Sequence, residues 1–361
     1  MRIIVDAREY DALRPAAPHV YGASEPLVVR IVNTLAQAGH IVDAVWKGQE
    51  ELIVDGVRWW PWNNHPRKCD VLVSCEWLIH ANEFEYDRLI VPLNKINPIL
   101  AGLESHVEAY VAFSEEHRRE LVFYTPAIKP NQVVIIPPGV DMPDQSIERI
   151  PHRVVWTNAI ERGLIHLARQ WPGIRKKVPD ATLAITYGLE RSWENNKWQQ
   201  DNIAQELAEC RRWVKANSDS VFDLGVVQPH AKALEEFGKA ELYSYPADAP
   251  LPGIVTSFAA MEAASAGCML LLSTLEGLPE VFEHTAEFLS IPVNEQEWVD
   301  KTCQLLTMSA AKKRKLQKRS IEWAKARRWR IHEEGWLQLV EGGNANYKRE
   351  TEAAGAEVSA A

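Results

Sequence analysis

Residues 25–46 read EPLVVRIVNTLAQAGHIVDAVW, and with the apolar run RIIVD at residues 2–6 they indicate the fold class. Behind Pro26, apolar residues recur at helical spacing up to Gly39, where the helix is expected to end. Residues 40–46 then have the composition of a buried strand. A strand, a helix and a second strand in this order predict a β-α-β unit and therefore a parallel sheet.

Short apolar strands continue through the first half of the chain. They are predicted at residues 71–74, 89–93, 109–113 and 133–136. Asp55-Gly56 predicts a hairpin turn, and Ser114 predicts the cap of a helix that follows the third of these strands. Residues 137–152 are rich in proline and acidic residues and lack apolar periodicity, which indicates a linker between two domains.

The second half repeats this alternation of strands and helices. Strands are predicted at residues 153–157, 182–187, 221–224, 241–245 and 269–273, and helices at residues 194–215, 229–238, 295–308 and 310–328. We expect an α/β protein with two parallel-sheet domains, 1–142 and 143–341, whose last helices can return to the first domain. Residues 342–361 are small, polar and aperiodic, and they predict a disordered tail.

Composition excludes several classes of protein. The 361 residues include 40 basic and 49 acidic ones, and the formal net charge of -9 argues against a protein that coats nucleic acid. No run of 18 apolar residues occurs, so no transmembrane segment is expected, and residues 1–6 lack the pattern of a secretory signal. The five cysteines form no C-x-x-C pair, which favours a reduced, cytoplasmic protein, at the membrane surface or away from it.

Residues 255–267 indicate a helix start that can bind phosphate. Thr256 and Ser257 stand where a loop opens a helix, and backbone N–H groups at such a start attract anions. Glu262, further along this helix, has the carboxylate to accept hydrogen bonds from ribose hydroxyls. The same residues are also compatible with a capped core helix that carries a solvated glutamate.

Arg162 is the second candidate for a ligand contact. It follows the first strand of the second domain, where open α/β sheets bind ligands, and a guanidinium there can clamp a diphosphate. A surface arginine would look the same in the sequence. Gly22, in the first loop of the chain, would let the backbone approach a phosphate.

Three further features have a structural interpretation that we favour. Acidic residues alternate over 83–87, as on a solvated face rather than in a metal site. The run Trp59-Trp60-Pro61-Trp62 predicts packing more than stacking on a sugar ring or a base. Residues 312–330 are basic with periodic apolar residues, which predicts a surface helix that covers the second domain, although such a helix could also meet anionic lipid or nucleic acid.

Several motifs taken together resemble one family. They are Phe113-Ser114-Glu115-Glu116-His117-Arg118, Ile136-Pro137-Pro138-Gly139-Val140-Asp141, Glu161-Arg162-Gly163-Leu164, Val178-Pro179-Asp180-Ala181, Met261-Glu262-Ala263, Ala266-Gly267 and Gly277-Leu278-Pro279-Glu280. In this order and spacing they resemble the retaining, nucleotide-sugar-dependent glycosyltransferases of family 4, which have the GT-B fold. The match is strongest over residues 109–283 and looser over residues 1–108.

The resemblance implies two Rossmann-like domains that face a central cleft, with a nucleotide-sugar donor bound mainly by the second domain. It implies that Arg162 contacts the donor diphosphate and stabilises it as it leaves. It also implies that Glu262, the second glutamate of an E-x7-E motif, binds the ribose. The further donor-binding positions that it implies are Gly22, Val227 at the nucleobase, and the phosphate-binding stretch Val255, Thr256 and Ser257.

The sequence departs from the family at two positions. The glutamate that the family has eight residues before Glu262 is Ile254 here, and an isoleucine cannot accept hydrogen bonds from the donor sugar. Asp248 or Glu280 could serve instead, and we include Glu280 among the donor-binding residues. The arginine usually found five residues before the basic position is Thr157. His80 is one candidate for the family's catalytic-cleft histidine in the first domain.

The expected activity is transfer of a hexosyl or related sugar from a nucleotide sugar to an unidentified acceptor: a glycan, a lipid-linked molecule or a small molecule. Retention without a covalent nucleophile is implied. No D-x-D triplet occurs, so we expect no metal, and no other cofactor is expected. One alternative is a catalytically impaired GT-B protein that binds nucleotide or glycan as a regulatory or assembly module. A less favoured one is sugar transfer to modified DNA bases.

Overall fold

The computed structural model describes residues 1–10, 13–16, 25–94, 106–187, 189, 200–248, 256–275 and 277–342; for residues 200–203 it describes the backbone alone. Within these ranges, no helix has the length and apolar character that crossing a bilayer requires.

The described elements alternate along the chain. The strands are β1 (Arg2–Asp6), β2 (Ile41–Trp46), β3 (Leu52–Val54), β4 (Val57–Pro61), β5 (Lys68–Ser74), β6 (Glu85–Pro92), β7 (Ala109–Ala112), β8 (Val133–Ile135), β9 (Arg153–Trp156), β10 (Thr182–Ile185), β11 (Val221–Asp223), β12 (Leu242–Tyr245), β13 (Met269–Ser273) and β14 (Ala286–Leu289). The helices are α1 (Glu25–Gln37), α2 (Glu115–Tyr124), α3 (Leu164–Lys177), α4 (Gln200–Ala216), α5 (His230–Lys239), α6 (Phe258–Ser265), α7 (Leu278–Phe282), α8 (Glu295–Thr307), α9 (Ala310–Lys325) and α10 (Trp329–Val340).

The chain divides into two compact units. The first comprises Met1–Gly139 together with the C-terminal part that starts at Ala326, and the second comprises Val140–Leu251 and Thr256–Lys325, each as far as its residues are described. Helix α10 therefore belongs to the first unit, although it follows every element of the second in the chain.

The first unit is built on an eight-stranded sheet with the order β3-β4-β2-β1-β5-β6-β7-β8. Every pairing is parallel except the β3–β4 hairpin. Its turn has positive φ at both central residues, Asp55 (51°) and Gly56 (81°), which is the geometry of a type I′ turn. The hairpin predicted from Asp55-Gly56 is thus confirmed.

Both faces of this sheet are buried. Successive side chains of a strand point to opposite faces, so neighbouring residues of one strand lie in different cores. Ile3 and Val5 of β1 lie in a core that also contains residues of α1 and α10, while Ile4 lies in a second core that contains Leu121 of α2. Trp59 of β4 is fully buried, which confirms the packing role predicted for it, and Trp60 donates from Nε1 to Asp43 Oδ1 at 2.8 Å.

Arg88 of β6 attaches helix α10 to the sheet. Its guanidinium donates to the backbone oxygens of Val340 and of Leu339, the latter at 2.9 Å, and it also pairs with Glu108. The last carbonyl groups of a helix have no partner within the helix. Arg88 satisfies two of them and places a positive charge at the negative end of the helix dipole.

The second unit is a doubly wound α/β domain. Its six strands are all parallel and have the order β11-β10-β9-β12-β13-β14. From β9 the chain moves outward to β10 and β11, and it then returns to the other side of β9 with β12. The direction of winding therefore reverses between β9 and β12, and ligands of open α/β sheets bind at the carboxyl ends of the two strands that flank such a point.

Helix α9 contains most of the basic run noted in the sequence and packs on the second unit. Trp323 stacks on Phe282 with ring centroids 4.6 Å apart, and its Nε1 donates to Val281 O at 2.8 Å. Ser320 and Ala324 are fully buried on the same side. The predicted covering helix is confirmed, but it ends at Lys325 and a separate helix begins at Trp329, because Arg328 has an extended backbone.

Strand β14 is the described strand that the sequence prediction does not contain. It is a short edge strand with the sequence AEFL, whose two middle residues are half-buried, so neither an apolar run nor a clear alternation marks it. Of the predicted helix 194–215, only the part from Gln200 onward can be compared, and the predicted tail beyond Gly342 lies outside the described residues.

Replacing Arg88 by leucine is expected to lower the free energy of unfolding by about 1–3 kcal/mol, since it removes a charged donor from two buried carbonyl groups. Chemical denaturation would measure the loss. The matched control is Arg330→Leu, because the pair that Arg330 makes with Glu334 is exposed and of the i,i+4 kind, and such pairs contribute little. Equal losses in both variants would show that Arg88 does not hold α10.

Candidate functional site

The candidate site lies at the carboxyl ends of β9 and β12, where the winding of the second unit reverses. Two segments meet this edge of the sheet. The loop from Asn158 to Gly163 follows β9 and leads into α3, and the segment that follows β12 leads into α6. Arg162 lies in the first segment, and Thr256 and Ser257 lie at the end of the second.

Arg162 is a buried cation whose described partner is uncharged. It is 8% exposed, and its Nη1 donates to the hydroxyl of Tyr245 at 2.7 Å. No ion pair involves Arg162 among the described residues. Arg8 of the first unit, 6% exposed, instead pairs with the carboxylates of Asp6 and Glu83. Burial of a charge is costly unless it is paired, so the site of Arg162 favours an anionic ligand.

Gly163 sets the position of Arg162. It has a left-handed backbone (φ 93°) and caps the N-terminus of α3. A Cβ atom at this position would lie 2.2 Å from the backbone oxygen of Pro246, just after β12. The close approach of these two segments therefore requires glycine.

Two tyrosines of β12 connect the two segments of the site. Tyr243 and Tyr245 lie on one face of the strand, with stacked rings whose centroids are 6.5 Å apart. The Tyr243 hydroxyl accepts a hydrogen bond from Asn158 Nδ2 at 2.7 Å and is also hydrogen-bonded to the Ser257 side chain. Burial, together with the nearby Tyr245, raises the pKa of Tyr243, so it remains a neutral phenol. Through this pair the Arg162 loop and the start of α6 are held together.

The start of α6 is suited to an anion. Ser257 caps the helix, because its Oγ accepts from the backbone N–H of Ala260 at 3.2 Å. The first turn of this helix contains no acidic residue that would oppose an anion. The Oγ1 of Thr256 is buried and has no hydrogen-bond partner among the described residues. The capped start predicted from the sequence is confirmed, and a buried hydroxyl without a partner accompanies it.

Glu262 of α6 forms a close pair with His230, the first residue of α5. Its Oε1 lies 2.7 Å from His230 Nε2, and both side chains are about three-quarters buried, with exposures of 26% and 21%. Burial by itself lowers the pKa of His230, but the hydrogen bond and charge of Glu262 and the charge of Asp141 outweigh it, and the pKa is raised. The imidazolium form is therefore favoured beside this carboxylate.

The other predicted donor residues are placed as follows. Val227 lies in the loop after β11, where its N–H donates to Thr186 O at 3.3 Å, and Glu280 lies in the first turn of α7 after β13. Asp248 accepts a hydrogen bond from the backbone N–H of Val293 and lies 3.5 Å from His166 Nε2. The predicted contacts of Gly22 and Val255, and the position of Ile254, lie outside the described residues.

In the first unit, His80 is held between two carboxylates. Its Nδ1 lies 2.9 Å from Glu83 Oε1 and its Nε2 lies 3.2 Å from Glu9 Oε1. Both ring nitrogens are therefore engaged, which leaves neither for a sugar hydroxyl in this arrangement. Burial raises the pKa of Glu83, but hydrogen bonds from Arg8 and His80 outweigh it and lower the pKa. The side chain of Glu83 is 37% exposed although it pairs with Arg8 and His80, and Glu85 and Asp87 are exposed, which supports the predicted solvated face.

A second buried polar cluster lies where the winding of the first unit reverses, between β1 and β5. Glu76 follows β5 with a left-handed backbone (φ 71°) and is 4% exposed. Its Oε1 accepts from the Tyr10 hydroxyl at 3.0 Å and from the Asn94 N–H at 3.1 Å. Burial, reinforced by the charge of Glu76, raises the pKa of Tyr10 well above its usual value.

Sequence reasoning missed Asn158, Tyr243, Tyr245 and His230. Two signals could have indicated the first three: Asn158 stands two residues beyond a buried strand, and the tyrosines alternate on a strand that is otherwise suited to apolar residues. No local signal pairs His230 with Glu262, because that contact depends on how α5 and α6 pack.

The comparisons with known proteins support the fold. No protein-family model matches the chain, and no curated protein matches its sequence. The structure is similar to a sucrose-phosphate synthase from Thermosynechococcus elongatus, at 15% identity and a TM-score of 0.70 over 94% of this chain and 98% of the other. It is also similar to OtsA, a trehalose-6-phosphate synthase, at 12% identity and a TM-score of 0.71 over 95% of this chain and 99% of the other.

A third similar structure is described as trehalose-6-phosphate from E. coli bound with UDP-2-fluoro glucose. It has 12% identity and a TM-score of 0.67 over 95% of this chain and 99% of the other. Identities at this level show the fold alone. The chain has the GT-B glycosyltransferase fold, with one parallel-sheet domain of eight strands and another of six, the hairpin strand β3 being antiparallel.

Replacing Gly163 by alanine is expected to lower the free energy of unfolding by about 3 kcal/mol or more, because the new Cβ meets a backbone oxygen in addition to the unfavourable φ. Gly225→Ala is the matched control, since Gly225 also has a positive φ (63°) but open space around its Cβ position. There we expect a loss of only about 1 kcal/mol. Chemical denaturation of both variants measures the difference, and similar losses would contradict a close approach at Gly163.

Proposed function

We propose that the protein transfers a hexosyl or related sugar from a nucleotide-sugar donor to an acceptor. The observation that carries this proposal is the buried guanidinium of Arg162, whose described partner is a phenol rather than a carboxylate. The tyrosine pair holds it close to a helix start that attracts anions. A diphosphate, with two negative charges and many acceptor oxygens, fits these requirements.

The proposed mechanism uses these groups to stabilise the leaving diphosphate. As the bond between the anomeric carbon and the phosphate oxygen breaks, negative charge develops on that oxygen, and Arg162 and the α6 N–H groups interact more strongly with it than with the intact donor. The hydroxyl oxygen of the acceptor then bonds to the anomeric carbon from the same face, which retains the configuration, and its proton passes to the departing diphosphate oxygen. Neither a covalent nucleophile of the protein nor a metal ion is part of this proposal.

The finer assignments rest on the resemblance to family 4 and on the site. Thr256, Ser257 and Arg162 would bind the diphosphate, Glu262 the ribose and Val227 the nucleobase. Gly22 and Val255 would add donor contacts, and Glu280 would help to bind the donor sugar in place of the missing glutamate. Asp248 is less suited to that task, because one of its oxygens already accepts from the Val293 N–H. The acceptor would be a glycan, a lipid-linked molecule or a small molecule.

A cytoplasmic location is part of the proposal, at the membrane surface or away from it. All five cysteines are free and buried. Free thiols persist in reducing compartments, whereas secreted proteins tend to form disulfides.

Arg162→Ala is expected to weaken the binding of nucleotide sugars by about 10- to 100-fold, as expected for loss of charged hydrogen bonds. Calorimetry with UDP-, GDP-, ADP- and dTDP-sugars would identify the donor and measure the loss. Arg169→Ala is the matched control, because Arg169 lies on α3 and pairs with Glu209 at the surface. Unchanged affinity in the Arg162 variant would remove Arg162 from the donor site, and no binding by the folded wild-type protein would overturn the proposed function.

A second candidate function is a GT-B protein that binds nucleotide or glycan but transfers no sugar. The observation that favours it is Ile254, where the resemblance leads us to expect a sugar-binding glutamate. Under this hypothesis Ile254→Glu should create or raise transfer or donor hydrolysis, measured as release of nucleoside diphosphate. Ile254→Gln serves as the control of similar size without the charge. Rapid transfer by the wild-type protein would exclude the second candidate.

A further inference from the structure

The contact between His230 and Glu262 connects two helices that both begin near the proposed donor site. Helices α5 and α6 pack together, and the 2.7 Å contact joins the first residue of α5 to the fifth residue of α6. Because both side chains are only about one-quarter exposed, the pair is shielded from water more than a surface ion pair. The imidazole thereby restricts the rotamers that Glu262 can adopt.

Glu262 lies at a suitable distance from the proposed phosphate site. It is five residues beyond the cap Ser257, which corresponds to about 7.5 Å along the axis at 1.5 Å per residue. A nucleotide whose diphosphate sits at the helix start would place its ribose along the helix, beside this carboxylate. One oxygen of Glu262 contacts His230, and the second oxygen is then oriented by the same contact.

The charge of His230 also affects how Glu262 interacts with a bound diphosphate. A carboxylate close to a bound diphosphate would repel it, and the imidazolium reduces that repulsion without removing the acceptor oxygens that ribose hydroxyls need. Asp141 is a further charged group that acts on His230, and it also favours the protonated form.

We propose that His230 is a positioning residue that holds Glu262 for the ribose and thereby makes the donor site select ribonucleotides over deoxyribonucleotides. This inference rests on the proposed function, because it requires a nucleotide sugar at the start of α6. Glu262 would accept from the ribose 2′-hydroxyl. A nucleotide without that hydroxyl would leave the second oxygen of Glu262 without this partner in a side chain that is about three-quarters buried, and such a loss is costly.

The test compares the dissociation constants of UDP-glucose and 2′-deoxy-UDP-glucose, and of ADP-glucose and 2′-deoxy-ADP-glucose, by calorimetry. In each pair the two ligands share base, diphosphate and sugar, so their affinity ratio reports on the 2′-hydroxyl alone. For the pair that binds, we expect the wild-type protein to prefer the ribonucleotide by about 10-fold or more.

Three single variants, one double variant and a control separate positioning from a merely structural role. Glu262→Ala and His230→Ala should both bring the affinity ratio close to one, and the double variant should lower it no further, because both residues act as one unit. His230→Gln retains a side-chain N–H donor and should preserve most of the preference. His284→Gln is the matched control, since the side chain of His284 is 86% exposed and contacts the adjacent Glu283.

Each outcome bears on one of the two proposals. If His230→Ala keeps the wild-type ratio while Glu262→Ala loses it, His230 does not position Glu262. A wild-type ratio of one with clear binding would overturn the ribose inference but leave the proposed function standing. If neither pair binds but a GDP-sugar of the wider panel does, the ratio is measured with that sugar and its 2′-deoxy form. Selective binding of a dTDP-sugar would overturn the ribose inference and leave the proposed function standing. If no nucleotide sugar binds to the folded protein, both proposals fall. Equal weakening of both nucleotides in His230→Ala would indicate structural damage and would also contradict positioning.

Discussion

The hydrogen bond between Arg162 and Tyr245 is the interaction on which the candidate site depends. A guanidinium loses hydration when it is buried, and a neutral phenol compensates only part of that loss. The positive charge consequently remains available to an anion, whereas the equally buried Arg8 is neutralised by two carboxylates. The same chain thus contains a structural arginine and one whose surroundings favour a ligand, and the difference lies in the charge of their partners.

The backbone of the second unit makes this arrangement possible. The winding of its sheet reverses between β9 and β12, which leaves room at their carboxyl ends. Gly163 lets the loop after β9 approach the backbone after β12. The stacked tyrosines of β12 then hold Asn158 and Ser257, so that the loop and the start of α6 have a defined geometry before any ligand binds. Preorganisation of this kind reduces the entropic cost of binding.

Local sequence patterns predicted most of the fold. Apolar spacing located α1, and short apolar runs located the strands that build both sheets. Strand β14 was not predicted, because an edge strand needs less apolar character than a central one. For the site, position after a strand indicated Arg162, and a capping residue indicated the start of α6. The two tyrosines and His230 were not predicted, because each contacts a residue far away in the chain.

Local periodicity and position relative to a strand were therefore enough to predict the alternation of strands and helices, the parallel sheets and the identity of the candidate cation. Only the tertiary structure decided that Arg162 meets a phenol 83 residues away and that Glu262 meets a histidine 32 residues away. Whether a charge is neutralised depends on which distant groups the folded chain places beside it. That proximity follows from the strand order and the packing of helices, and no local pattern in the sequence contains it.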